Sequence, residues 1–209
     1  MARTVDTERR RELALRAFEV IRSRGVARTT MSDIATALEM KRPTLYWHFK
    51  DFGEIFDAVV ADTDAELERF VRGRLAGVGH PIDTLAALVE ATVDFYAERR
   101  DRVMVLFQLF AVAGDEAARR FARRAQEFVG PVREELRARL ERGIADGSVA
   151  PCDATIVVDL CFAVIDGAHV QKIVRDADPR RVAEGLRRHV LEPLRLGDGA
   201  QPASPEKNR

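Results

Sequence analysis

The stretch TMSDIATALEMKRPTLYWHFKDFGEIF, residues 30–56, decides the fold. Thr30 followed three residues later by Asp33 is typical of a helix N-terminus, because each side chain can satisfy a free backbone amide of the first turn. Asp51 and Glu54 repeat this spacing where a longer, fourth helix should begin. Between these two predicted helix starts, residues 39–41 predict a tight turn that joins two short helices. The stretch therefore predicts a helix, a turn and a second helix, followed by a long helix.

The second short helix begins with basic residues and continues into aromatic ones. Pro43 suits its first turn, and Lys41 and Arg42 can donate to guanine acceptors or to phosphates. Tyr46, Trp47 and His48 follow in successive directions, so they cannot all be buried. A short helix of this composition, held at a steep angle to its predecessor, is a device for entering the DNA major groove. We expect Phe49 to turn inward, and the turn residue Met40 to pack in the core with Ile34, Leu38 and Leu45.

The same stretch, and above all PTLYWHF at residues 43–49, resembles the DNA-binding signature of the tetracycline-repressor (TetR) family of bacterial regulators. The resemblance implies an all-α fold, with an N-terminal helix-turn-helix three-helix DNA-binding domain and a C-terminal helical ligand-binding and dimerisation domain. It implies a homodimer that a small, largely apolar molecule releases from a palindromic double-stranded DNA operator. Because the sequence shows no apolar signal segment and no apolar run of membrane length, we expect a cytoplasmic protein. Carried over position by position, it implies DNA contacts from Thr29, Thr30, Lys41, Arg42, Pro43, Thr44, Tyr46, Trp47, His48 and Lys50.

Three positions depart from the family pattern. Glu39 stands where the family usually has glycine, and a turn that requires positive φ would then cost about 1 kcal/mol. Lys41 replaces the usual serine or threonine, so a side-chain helix cap is missing. Phe52 replaces a lysine that contacts a phosphate, which leaves Lys50 as the residue to take over that contact.

The distribution of charge and the residue types present restrict the classes of function that the sequence predicts. The net charge is zero, yet residues 1–50 carry 11 Lys/Arg and 6 Asp/Glu, which makes that segment +5 and the remainder −5. A basic end on an acidic body indicates a polyanionic partner for that end, although a solvated basic surface would look the same. Neither the two cysteines, Cys152 and Cys161, nor the scattered histidines have metal-ligand spacing. The sequence contains no nucleophile motif, phosphate loop or apolar signal segment, so we expect no enzyme, no cofactor, no metal and no membrane partner.

The remaining chain carries residues typical of helix starts and helix ends throughout. We expect a DNA-binding domain at 1–50, a connecting helix at 51–80, a ligand-binding and dimerisation domain at 81–196, and a disordered tail at 197–209. Within the third of these domains the pattern predicts five helices. They should span residues 82–100, 103–112, 115–146 with a kink or break at Gly130-Pro131, 153–175, and 179–196.

The last two helices are the expected dimer surface, although packing within one chain is an alternative. The middle helices are rich in aromatic side chains, as cavities for apolar ligands are, although each side chain alone could belong to an ordinary core. The predicted ligand-contacting residues are Thr92, Phe95, Tyr96, Met104, Phe107, Gln108, Phe128, Phe162 and His169. The alternative function is a DNA-binding regulator or architectural protein without a small-molecule sensor.

Overall fold

The computed structural model describes residues 7–99, 102–105 and 114–197, with only the backbone described at 114–118 and 121. Regular structure in this part of the chain is helical, which confirms the predicted all-α class. The chain forms two compact units. The first comprises the residues up to Glu68 together with Arg99–Glu127. The second comprises Arg69–Glu98 together with the residues from Phe128 onward.

The first unit contains the predicted helix-turn-helix. Its helices are α1 (Thr7–Arg24), a 3-10 turn (Val26–Arg28), α2 (Met31–Ala37), α3 (Arg42–His48) and the first part of α4 (Phe52–Leu75). Residues 102–105 are also helical. One apolar core joins these elements, because each amphipathic helix must bury its apolar side against the others. Its largest fully buried side chains include Leu13, Ile21, Ile34, Leu45, Phe49, Ile55 and Val59.

The capping predictions at 30–33 are confirmed. Asp33 donates its backbone N–H to the Thr30 hydroxyl at 3.2 Å, and the Thr30 N–H donates to the Asp33 carboxylate at 2.8 Å. At the start of α4 only one of the two expected capping hydrogen bonds forms. The Asp51 carboxylate accepts from the Glu54 N–H at 2.9 Å, but the Glu54 carboxylate accepts from the backbone of Lys50 instead.

The turn after α2 places Glu39 at φ 55°, in the left-handed region that favours glycine. Met40 N–H donates to the Ala35 carbonyl at 2.8 Å and Glu39 N–H to the Thr36 carbonyl at 3.0 Å. These two bonds define a Schellman ending, in which the left-handed residue is normally glycine. Met40 packs against the core, as predicted. The turn therefore forms with the usual hydrogen bonds in spite of the Glu39 Cβ.

The second unit contains α5 (Pro81–Glu98), most of α6 (Gly114–Ala145, which starts in the first unit), α7 (Ala154–Arg175) and α8 (Pro179–Leu186). Asp153 and Asp178 cap the N-termini of α7 and α8, and each accepts a backbone N–H of its helix at 3.0 Å. The backbone between α6 and α7 forms hydrogen bonds with the backbone of residues 194–196. There, Ala150 N–H donates to Leu194 and Leu196 N–H to Ser148, both at 2.9 Å.

Two helix predictions were wrong in part. The predicted helix 179–196 is α-helical only to Leu186, and a wider π turn (Arg187–Leu191) and a 3-10 turn (Glu192–Leu194) follow. Pro193 explains this change, because it lacks an N–H and its ring clashes with the preceding turn. By contrast, α6 is not broken at Gly130-Pro131, because the helix continues through Pro131, and it begins at Gly114 rather than at the predicted residue 115. Of the predicted helix 103–112 and tail 197–209, residues 106–112 and 198–209 lie outside the described residues.

Candidate functional site

Helix α3 packs one side against the core of the first unit and exposes its other side to solvent. Leu45 and Phe49 are completely buried in the core of the first unit, so the opposite side of this short helix must point to solvent. The residues on that side, called here the α3 face, are Lys41, Arg42, Pro43, Thr44, Tyr46, Trp47 and Lys50, and all are exposed. Lys41 stands at the N-cap without a side-chain cap bond, as expected from its departure from the family pattern. No acidic residue occurs between residues 41 and 50, so every charged side chain of the face is basic.

The aromatic side chains of this face are unusual for a solvent surface. Trp47 is 51% exposed and Tyr46 39% exposed. The Arg42 guanidinium lies 5.5 Å from the centre of the Tyr46 ring, a cation–π contact that pre-orients both side chains. Two large aromatic side chains exposed side by side among basic residues are typical of a binding surface.

His48 lies at the edge of the α3 face and is half-buried. Its ring meets the edge of Trp47 at 4.6 Å, and its Nδ1 is buried without a hydrogen-bond partner among the described residues. Burial, and then the nearby charges of Arg9 and Arg10, lower the pKa of His48 below its ordinary value. His48 is therefore mostly neutral at pH 7 in the protein without DNA.

Arg10 on α1 holds the end of α3 in place. Its Nε donates to the His48 carbonyl at 3.1 Å and its Nη2 to the Glu54 carboxylate at 3.1 Å, while its guanidinium lies 4.9 Å from the centre of the Phe49 ring. The last carbonyls of a helix lack intrahelical partners, so a cation there is favourable. Sequence reasoning missed this residue, because nothing local links position 10 to positions 48 and 54.

Three expectations about the neighbouring residues change. Thr29 is buried and its hydroxyl donates to the Gly25 carbonyl at 2.8 Å, so its side chain does not join the α3 face. Thr30 is exposed, but its hydroxyl is engaged by Asp33. Phe52 packs against the core, where it stabilises the first unit rather than reaching outward. Lys50 remains exposed, with its Nζ 3.9 Å from the Glu54 carboxylate.

The second unit contains an aromatic cluster, defined here as Phe70, Phe95, Tyr96 and His169. Ring centres are separated by 5.7 Å between Phe70 and Phe95, 5.3 Å between Phe95 and Tyr96, and 4.7 Å between Tyr96 and His169. The structure thus brings together three of the predicted ligand-contacting residues. Phe70 was missed, because α4 was interpreted only as a connecting helix.

His169 is the polar member of this cluster. Its Nε2 is buried and has no hydrogen-bond partner among the described residues. Burial lowers the pKa of His169 to about 4, so the ring is neutral at pH 7. An unpaired buried polar atom is costly, which is why such atoms are rare in folded proteins and often lie at sites of function.

The other predicted ligand-contacting residues have different contacts or positions in the described part of the chain. The Thr92 hydroxyl donates to the Leu88 carbonyl of its own helix, and Phe162 lies 4.5 Å below the guanidinium of Arg133. Phe128 is half-buried in the second unit, whereas Met104 belongs to the first. Phe107 and Gln108 lie outside the described residues.

Helix α7 carries a second exposed surface, the α7 stripe, made of Ile156, Leu160, Ala163, Gly167, Val170 and Val174. Their spacing of four and three residues places them on one side of the helix. Four of them are large exposed hydrophobics, and Val174 is 70% exposed. By length and hydropathy α7 is also the single described helix that could cross a membrane, a test that core and interface helices also pass. Among the described residues no group of three metal-ligating side chains occurs.

Comparison with known proteins agrees with this architecture. A family model described as bacterial regulatory proteins of the tetR family matches residues 15–59, and a model of the C-terminal domain of BetI-type transcriptional repressors matches residues 81–195. The HTH-type transcriptional repressor KstR2 of Mycolicibacterium smegmatis is 30% identical over 161 residues, which cover 75% of this chain and 74% of the relative.

Solved structures show the same fold. A TetR transcription regulator from Haloarcula marismortui aligns with a TM-score of 0.69 at 22% identity, covering 90% of this chain and all of the other. The transcriptional regulator FadR of Bacillus subtilis, solved in complex with stearoyl-CoA, aligns with a TM-score of 0.66 at 18% identity, covering 84% and 94%. With helix-turn-helix, basic aromatic face and helical second unit all in place, the chain belongs to the TetR family of DNA-binding bacterial transcriptional regulators.

Proposed function

We propose that this regulator is a homodimeric repressor that binds an inverted-repeat operator through two copies of the α3 face and leaves it when a small, largely apolar molecule binds the second unit. The observation that carries the proposal is the α3 face itself. It presents Lys41, Arg42 and Lys50 beside exposed Tyr46 and Trp47, with no carboxylate in the same stretch.

The residues of the α3 face have different roles. Arg42 and Lys41 stand at the start of the helix, where side chains reach base edges in the major groove. Tyr46 and Lys50 lie further along, where donors meet phosphates and set the orientation of the protein without reading sequence. His48 is mostly neutral in the protein without DNA, because its pKa is lowered by burial.

The α7 stripe supplies the dimer. A single short recognition helix reads only a few base pairs, so a dimer with two half-sites is the general solution. The small residues Ala163 and Gly167 at the middle of the stripe permit a close approach of two helices. The large residues Ile156, Leu160, Val170 and Val174 supply apolar area on both sides of them.

Selection of bound DNA from a random pool tests the operator proposal. The recovered sequences should contain an inverted repeat whose half-site centres are about one or more helical turns apart, roughly 34–36 Å per turn. Arg42→Ala should weaken binding to the recovered sequence, whereas Arg137→Ala, which removes an equal charge from the second unit, should not. A single half-site bound by monomer would contradict the proposal.

The effector proposal rests on the aromatic cluster. Apolar ligand sites combine aromatic walls with a few polar groups, and His169 offers one neutral polar atom that has no hydrogen-bond partner among the described residues. FadR of Bacillus subtilis, which shares this fold, was solved with stearoyl-CoA. Acyl-coenzyme A thioesters are therefore the first class of molecule to test on this chain.

A titration of the protein–operator complex tests that class. Acyl-CoA thioesters of increasing chain length should release the DNA and raise the melting temperature of the free protein, while coenzyme A alone should do neither. Tyr96→Ala should reduce the release, because Tyr96 belongs to the aromatic cluster, and should leave the DNA affinity of the ligand-free protein within a few-fold. Release by coenzyme A alone would contradict an apolar recognition site.

A further inference from the structure

Asp62 on α4 is a buried carboxylate that is shared by two different parts of the first unit. Its side chain is 3% exposed. Oδ1 accepts a hydrogen bond from Arg11 Nε on α1, and Oδ2 accepts one from Arg102 Nη2 at 2.7 Å. Burial by itself raises the pKa of Asp62, but the bonds from Arg102 and Arg11 outweigh burial and hold that pKa below its ordinary value. The charge is therefore stable in the interior only while these arginines stay in place.

Arg102 binds α4 at a second point. Its Nη1 donates to the Glu66 carboxylate at 3.2 Å, and Arg99 Nε lies 3.5 Å from the same oxygen. Asp62 and Glu66 are one helical turn apart. The stretch that follows α5 in the chain is thus joined to one side of α4 by two arginines and two carboxylates.

Helix α1 binds α4 at two points as well. Arg11 contacts Asp62, and its neighbour Arg10 contacts Glu54, eight residues and about 12 Å earlier along α4. Arg10 also donates to the carbonyl of His48 at the end of α3. Two separate points fix a direction as well as a position. The orientation of α1 on α4, and with it the end of α3, therefore depends on both carboxylates.

We propose that Arg102, which lies outside the three helices of the DNA-binding domain, is a positioning residue for DNA binding: through the shared carboxylate of Asp62 it holds Arg11, and therefore α1 and α3, in place on α4. Loss of Arg102 leaves Asp62 buried with Arg11 as its only partner among the contacts described above. The carboxylate then draws water or moves outward, and the α1 contact loosens with it.

The opposite side of α4 provides a matched control. Arg124 on α6 contacts Asp64 at 3.3 Å. Asp64 is two residues from Asp62 and so points about 200° away around the helix. Arg124→Gln removes an arginine–carboxylate pair from the same helix in the same unit and leaves Asp62 untouched.

Hydrogen–deuterium exchange of the full chain, without DNA or ligand, tests the proposal directly. Arg102→Gln and Asp62→Asn should speed exchange of the α1 amides about tenfold, a typical strength of coupling between sites. Arg124→Gln should leave α1 exchange unchanged. Unchanged α1 exchange in Arg102→Gln, or an equal rise in Arg124→Gln, would overturn the proposal, because the first shows no link and the second shows general loosening.

Operator affinity is the second readout, and only this part rests on the proposed function. Arg11→Gln and Arg102→Gln should each lower operator affinity. The affinity of the double variant should be close to that of the single variant with the larger loss, because both arginines act through Asp62. Fully additive losses would overturn the shared link. If no DNA sequence is bound at all, the proposed function fails while the exchange result still decides the link.

Arg102→Lys covers the case in which Arg102→Gln does not fold. Lysine keeps the charge but lacks the planar fork of donors, so it can bind Asp62 or Glu66 but not both as arginine does. A rise in α1 exchange smaller than that of Asp62→Asn is expected. No rise in either Arg102→Lys or Asp62→Asn would overturn the proposal.

Discussion

The α3 face and the α7 stripe both expose large apolar side chains, yet their surroundings differ completely. On α3 the exposed rings of Tyr46 and Trp47 stand among Lys41, Arg42 and Lys50. On α7 the exposed Ile156, Leu160, Val170 and Val174 follow one another along the helix, without a charge inside the stripe. Exposure alone therefore indicates only that a partner is missing. The charges beside the exposed side chains indicate whether that partner is a polyanion or a second apolar surface.

The largest expected effect comes from a charge placed in the α7 stripe. Leu160→Arg should abolish the dimer and reduce operator affinity at least about a hundredfold, because two like charges would be buried at the centre of the interface. Sedimentation velocity and a DNA-binding titration measure the two effects. Thr155→Arg, on the same helix but about 100° away from Ile156, is the control. A variant that stays dimeric would show that the stripe has another partner.

The next effect concerns the α3 face. Arg42→Ala should cost about 1–3 kcal/mol at one base-pair position and relax the sequence preference there. Tyr46→Ala, His48→Ala and Lys50→Ala should weaken binding on all sequences. Lys50→Ala should also flatten the dependence of affinity on salt, because one phosphate contact is lost. Affinity measured on operator variants across a salt series distinguishes the two classes. Identical behaviour of Arg42→Ala and Lys50→Ala would break the division of roles.

The half-buried His169 predicts a smaller, pH-dependent effect. The pKa of His169 is about 4 in the folded protein, below the ordinary value of about 6.5. The unfolded chain therefore binds more protons between these values, so stability is lost as pH falls from 6.5 towards 4. After allowance for partial solvent access, the loss due to His169 should be about 2 kcal/mol. Urea unfolding at pH 7 and pH 5 should show a smaller pH dependence for His169→Phe than for the wild type.

The smallest effect concerns the turn below the α3 face. Glu39 occupies a left-handed conformation at φ 55°, so Glu39→Gly should stabilise the protein by up to about 1 kcal/mol. Operator affinity should stay within about twofold, because the hydrogen bonds of the turn use only backbone atoms. Thermal unfolding checks the stability, and destabilisation would mean that the Glu39 side chain has an unrecognised partner.

Local signals made much of the first unit predictable. The capping pair Thr30 and Asp33, the inward turn of Phe49 and the packing of Met40 all follow from residues within a few positions of each other. The unbroken course of α6 through Pro131 was not predictable in this way. A proline removes one hydrogen bond and adds a clash, and the rest of a 32-residue helix outweighs that local penalty.

The residues of the candidate sites also divide into those that local sequence predicts and those that it does not. Lys41, Arg42, Tyr46 and Trp47 were predicted from sequence and are exposed together, because one helix turn is enough to arrange them. Thr29 was predicted for the same surface and is buried, since its hydroxyl finds the Gly25 carbonyl four residues earlier. Arg10, which holds α3 from behind, and its contact with Glu54 were missed.

What the sequence by itself determined is therefore the set of helices, the basic and aromatic character of α3 and the family of the protein. Each of these depends on spacings shorter than about two helical turns. Only the tertiary structure decided which long side chains meet. Asp62 binds Arg11 and Arg102, 51 and 40 residues away, and Tyr96 meets His169 across 73 positions of sequence. No local pattern encodes such pairs, because an arginine or a ring on a helix surface has many possible partners until packing of the helices leaves one within reach.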